Sequence, residues 1–273
     1  MKSFECTILT THVDLQGERF ASEGLESLAA SYNEYYLPLT REHDIRKAPI
    51  GRVKSASVES LDDGEFAVRG IVEMFEEGDT LSSAQGDGRK LLIATADSPT
   101  FTVEYDSSYE NPEGHKLLAA LKDLSPESGA RVQVKKSLEP LSVLTVAIYL
   151  SGAIAAGALA KLGEDLYDGL KNVLKNYFAS VKISRERVMD FQFRTTRYGE
   201  EIEVHILLTN PTSQDLESFF SSCFGNVDAF LSRCEGTDLA RFVFEYRNGS
   251  LECLYILRKD CVPLQVRRKP GHR

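Results

Sequence analysis

The sequence predicts an α+β protein: an N-terminal β-rich, barrel-like module over residues 1–138, a long central helix over 139–180, and a C-terminal ββαββ domain over 185–266. Three observations carry this expectation. Two hairpin signals, Asp63-Gly64 and Asn248-Gly249, each sit between runs rich in β-branched and aromatic residues. The stretch from Pro140 to Ala160 has no charged residue. Directly after it, Leu162, Leu166, Leu170, Val173, Leu174 and Tyr177 recur at helical spacing beside Glu164, Asp165, Asp168, Lys171 and Lys175.

Taken in order, Phe4 to Val13 partly alternates apolar and polar residues and reads as a strand, followed by a short helix near Gly24 to Asn33. Pro38, Pro49 and Gly51 punctuate a loop that leads into strands at about Gly51 to Ser60 and Glu65 to Phe75. The turn between them is Leu61-Asp62-Asp63-Gly64, where Gly accepts the positive φ a tight turn requires. Glu77 to Lys90 reads as a loop, and strands resume at Leu91 to Thr95 and Thr100 to Asp106. A helix near His115 to Leu124 and a strand near Arg131 to Leu138 close the first module as an antiparallel sheet or barrel.

The uncharged run is about long enough for a bilayer at the helical rise. Its small residues, including Gly152, Ala155, Ala156 and Gly157, give a modest transfer free energy, so a buried or partner-covered helix is the favoured reading and a span the less favoured one. The amphipathic continuation carries acids as well as lysines, which suits protein packing and a homo-oligomer better than anionic lipid. Beyond Ser180, strands at Val188 to Thr195 and Glu200 to Thr209, a helix from Ser213 to Cys234, and strands at Ala240 to Tyr246 and Leu251 to Arg258 make the last domain. Residues 267–273 form a basic tail, read as a solvated terminus.

At 273 residues, with 42% hydrophobic and 27% charged residues, the composition fits a folded chain of about two domains. A formal charge of -9 argues against a non-specific nucleic-acid binder, which needs excess cations to neutralise phosphates. The five cysteines contain no C-x-x-C pair, so neither a disulfide framework nor a zinc site is indicated. Met1-Lys2-Ser3-Phe4-Glu5-Cys6 lacks the charged-then-apolar pattern of a secretory signal, and the expected location is cytoplasmic. No cofactor or metal is expected. Asp44 and Asp62-Asp63 lack the further oxygen ligands of a calcium or magnesium loop, Gly86-Asp87-Gly88 reads as a turn, and His205 reads as a sheet residue rather than a ligand.

One region points to a specific ancestry. His43-Asp44, Pro49-Ile50-Gly51-Arg52, the strand Val53 to Val58, the turn Asp62-Asp63-Gly64 and the strand Phe66 to Ile71 resemble the prohead (capsid maturation) protease family of tailed phages. The resemblance covers about thirty residues closely and the rest of the first module loosely. It implies that His43 falls at the general base and Thr102, in Phe101-Thr102-Val103-Glu104-Tyr105, at the nucleophile. The family carries Ser at that position and Gly where this chain has Glu104. The extra methyl of Thr restricts χ1, and a carboxylate beside a developing oxyanion is repulsive. Glu73, His12 and His115 are all available as a third catalytic residue.

Three functions follow as expectations. The leading one is a bacterial or phage-derived interaction or assembly protein, in which a vestigial protease-like module binds a peptide or protein partner. The others are an active endopeptidase using Thr102 and His43, able to cleave itself, and a membrane-acting defence effector using residues 140–160.

Overall fold

The computed structural model describes residues 2–13, 19–41, 44–76, 88–93, 100–106, 111–124, 131–135, 142–149, 164–180, 186–236 and 238–264. Over these the chain is mixed α/β with two sheets, and it divides into two compact units. Met1–Leu92 with Leu257–Gln265 forms one, and Ile93–Ile256 with Val266–Arg273 the other.

The first unit holds β1 (Lys2–Thr10), α1 (Ser22–Glu34), β2 (Tyr35–Leu39), β3 (Gly51–Ser60), β4 (Phe66–Met74) and β5 (Lys90–Leu91). Its sheet runs β1-β4-β3-β2-β5 and stays open, which corrects the barrel-like expectation. Closure would require β1 to find a partner on its outer side, and among the described residues it pairs with β4 alone. The β3–β4 hairpin forms where Asp63-Gly64 placed it. Gly64 takes φ +85°, and the Asp63 carboxylate accepts the Glu65 N–H at 3.1 Å. Leu25 and Ala29 of α1 pack on Ala56 and Val68, with Ile8, Leu9, Tyr32 and Val58 around them. Burying a Leu or Val side chain of this kind contributes about 1.5–3 kcal/mol.

The second unit contains β6 (Thr100–Asp106), α2 (Pro112–Asp123), β7 (Arg131–Lys135), β8 (Ser142–Tyr149), α3 (Glu164–Ser180), β9 (Arg187–Arg197), β10 (Glu200–Thr209), α4 (Ser213–Leu231), β11 (Leu239–Arg247) and most of β12 (Ser250–Arg258). With β13 (Pro263–Leu264), the strand order is β13-β12-β11-β10-β9-β8-β6-β7. Each parallel pair, β6 with β7, β8 with β9 and β10 with β11, is joined through a helix, as parallel neighbours require. Antiparallel pairing links β6 to β8 and β9 to β10. The helices pack side by side, α2 on α3 and α3 on α4, and an aromatic cluster seats α4 on the sheet through Phe191–Phe219 at 5.4 Å and Phe219–Tyr246 at 5.6 Å.

Two local devices fix this part of the chain. Tyr198-Gly199 and Asn248-Gly249 both take positive φ at two successive residues, the primed turn that matches strand twist. Thr212 and Asp215 form a capping box at the start of α4.

The central helix expected over 139–180 requires correction in its first half. Ser142–Tyr149 is a strand lying between β6 and β9, with Leu144, Thr145, Val146 and Ala147 all buried. A strand buried on both faces reads as a continuous uncharged run, and its β-branched residues Val143, Thr145, Val146 and Ile148 favour extended backbone. Residues 150–163 lie outside the described residues. The amphipathic half is helical as expected, and its apolar stripe, Leu170, Leu174, Tyr177 and Phe178, is buried. No described helix is long and apolar enough to cross a membrane.

Candidate functional site

Thr102 lies in β6, an interior strand of the second unit, paired through Ala147 to β8 and through Arg131 to β7. It is half-buried, and Val103, on the opposite face, is fully buried. Glu104, two residues on, shares the Thr102 face and is also half-buried. His43 lies outside the described residues. Its neighbour Asp44 belongs to the first unit and is fastened to Arg46, accepting from Nε at 2.9 Å, Nη2 at 3.1 Å and the backbone N–H at 3.0 Å. Burial pushes the Asp44 carboxyl up, but Arg46 and Lys47 outweigh it and hold the pKa below the usual range.

The three residues available as a third catalytic member have separate settings. His12 meets Asp63 at 2.7 Å on the surface of the first unit, and His115 is exposed on α2 in the second. Glu73 is taken up by cations. Arg52 places Nε 2.9 Å and Nη2 2.8 Å from Glu73 Oε2, and Lys54 Nζ lies 2.9 Å from Oε1. Burial raises the Glu73 pKa, while Lys54 and Arg52 together lower it by more. Arg52 also donates from Nη1 to the Asp260 carbonyl at 2.6 Å, and its guanidinium sits 4.1 Å from the centroid of the Tyr36 ring.

The Pro49-Ile50-Gly51-Arg52 segment therefore does structural work here. A Cβ on Gly51 would meet the Glu73 carbonyl oxygen at 2.4 Å, so only glycine lets β3 and β4 approach at this point. Arg52 then neutralises the buried carboxylate beside it.

The polar face of the second sheet carries a constellation around His205, which the sequence alone marks only as a sheet residue. Register sets Thr102, Ala147, Gln192 and His205 in one cross-strand row. His205 Nδ1 lies 3.1 Å from Asp190 Oδ2, and Nε2 lies 3.2 Å from Glu203 Oε2, close enough for an ion pair but not aligned as a hydrogen bond. Arg241 Nε donates to Glu203 Oε2 at 2.6 Å, and Gln192 Nε2 donates to Asp190 Oδ2 at 2.6 Å. Asp190 and Glu203 are only 3% and 2% exposed.

Electrostatics fix the charge states. Burial alone would lower the His205 pKa, but the Asp190 and Glu203 carboxylates outweigh it and push it up to about 9. Burial would likewise raise Glu203, and Arg241 with His205 holds it down at about 2. The imidazole is thus a fixed cation at neutral pH, engaged at both nitrogens, and is not poised as a general base. It also stands three strands from Thr102, roughly 14 Å by ordinary strand spacing. The Tyr198-Gly199 turn held the missed signal, since its register brings Asp190, Gln192 and Arg194 opposite Leu207, His205 and Glu203.

Comparison with known proteins adds no family assignment: no family model, no curated protein and no solved structure matches this chain.

Proposed function

We propose that this chain is a cytoplasmic interaction or assembly protein that binds an extended peptide or protein segment, and that its likeness to prohead proteases is vestigial. The observation that carries the reading is the placement of exposed apolar side chains around a sheet edge that is open among the described residues. Of the six large hydrophobic residues exposed among those described, five, Phe4, Val13, Phe20, Phe66 and Ile71, belong to the first unit, and Tyr198 is the sixth. Phe4 is 48% exposed on the edge strand β1, and Ile71 is 43% exposed on β4 beside it.

An added strand along β1 gains main-chain hydrogen bonds, with a side chain over Phe4 on one face. The register shift between Thr7 and Leu9 limits the regular edge to Lys2–Thr7, long enough for a short segment. The setting of Thr102 supports binding over cleavage. Its hydroxyl is carried mid-strand between two paired neighbours, with the Glu104 carboxylate on the same face.

Selection of a random peptide library against the full chain tests the proposal. Enriched peptides that bind wild type and lose at least about tenfold in affinity to Phe4→Asp support it. Enrichment indifferent to Phe4→Asp, or no enrichment, removes the edge from consideration. Cleavage of the selected peptides by wild type and by Thr102→Ser, abolished in Thr102→Ala, would instead establish the peptidase.

A further inference from the structure

We propose that Cys234 and Cys253 are a dithiol pair that closes to a disulfide on exposure to a small-molecule disulfide, fastening the end of α4 to β12. The pairing follows from how the helix and hairpin meet. Cys234 lies just past α4, its N–H donating to the Phe230 carbonyl at 3.2 Å. Phe230 in turn packs edge-on against Phe244 of β11, with ring centroids 5.1 Å apart. The two-residue turn Asn248-Gly249 sets Cys253 of β12 across from Phe244, on the side facing α4. Both cysteines are half-buried.

Their surroundings assign the two roles. Burial raises both thiols, Cys253 to about 12, where Cys234 and Glu252 add to the rise. For Cys234 the guanidiniums of Arg197 and Arg233 oppose burial, so it is the better source of thiolate. In the reaction with oxidised glutathione, the Cys234 thiolate attacks one sulfur, the glutathione S–S bond breaks, and one glutathione leaves as thiolate. Cys253 then loses its proton and attacks the Cys234 sulfur of the mixed disulfide, expelling the second glutathione. Two protein thiols are oxidised, one glutathione disulfide is reduced, and the two protons pass to the leaving thiolates.

The test incubates the full chain with oxidised glutathione at mildly alkaline pH, alkylates the remaining thiols, and maps non-reduced tryptic peptides by mass spectrometry. Cleavage at Arg233, Arg241 and Arg247 separates the two cysteines, so a bridge appears as one joined pair of peptides. The expected result is that joined pair in wild type, its absence in Cys234→Ser, and arrest as a glutathione adduct on Cys234 in Cys253→Ser. A wild-type chain that stops at a glutathione adduct, bridges other cysteines, or remains fully alkylatable at both positions overturns the proposal.

Discussion

Replacing His205 with Gln tests whether the charge constellation on the second sheet stabilises the fold. In wild type the imidazolium is held between Asp190 and Glu203, with Nδ1 and Nε2 at 3.1 and 3.2 Å from their carboxylates. Its pKa rises from the ordinary 6.5 to about 9, so the folded state binds the proton more tightly than the unfolded state. That contribution is complete below pH 6.5 and is lost as pH climbs through 9. At about 1.4 kcal/mol per pH unit, the interval corresponds to roughly 3 kcal/mol.

Glu203 has the opposite sign. Depressed from 4.5 to about 2, it stabilises above pH 4.5 and gives that up as pH falls through 2. The two figures share one ion pair and are not additive. The assay is urea denaturation of wild type and His205→Gln at intervals from pH 6 to 10. At pH 6 the variant should be less stable by about 3 kcal/mol, the cost of leaving buried carboxylates without their cation. The gap should narrow steadily toward pH 10, while groups common to both proteins cancel. A gap that stays constant across the range would refute the assignment of His205 as a buried imidazolium.

Three further predictions concern an ion pair and the backbone of the first unit and the helix of the second. Glu73→Gln removes the charge facing Arg52, whose side chain is 4% exposed, and should cost about 3–5 kcal/mol in urea denaturation. Gly51→Ala drives a Cβ to 2.4 Å from the Glu73 carbonyl and should destabilise by at least about 2 kcal/mol. Gly225→Ala within α4, where a Cβ meets nothing within 4 Å, should stabilise by about 0.5–1 kcal/mol, and equal melting temperatures for the two alanine variants would contradict both arguments.

Elements set by neighbouring residues were legible in the sequence. Asp63-Gly64 and Asn248-Gly249 each mark a turn between two strands. These signals act over a few residues and need no knowledge of the rest of the chain. Ser142–Tyr149 was misread because an uncharged run suits a buried helix and a buried strand equally. Its β-branched residues favoured the strand, but only the flanking β6 and β9 decide it. Thr102 was placed with the first module because it follows that module in sequence, whereas its partners Ala147 and Arg131 come later in the chain.

The same distance hid the constellation around His205. Asp190, Glu203 and Arg241 each alternate with apolar residues in their own strands, and cross-strand register alone makes them neighbours. On the candidate site the sequence named Thr102 and, two residues on, Glu104, and strand β6 sets the two on one face. It could not foresee that Glu73 is held by Arg52 and Lys54, since that depends on β3 lying against β4.

The most direct test of the central claim is amide hydrogen exchange across Lys2–Thr7, with and without a library-selected peptide bound to the full chain. Strand addition predicts that the peptide slows exchange along β1 and that Phe4→Asp removes the protection. Exchange along β1 that is unchanged while the peptide is bound would contradict the account.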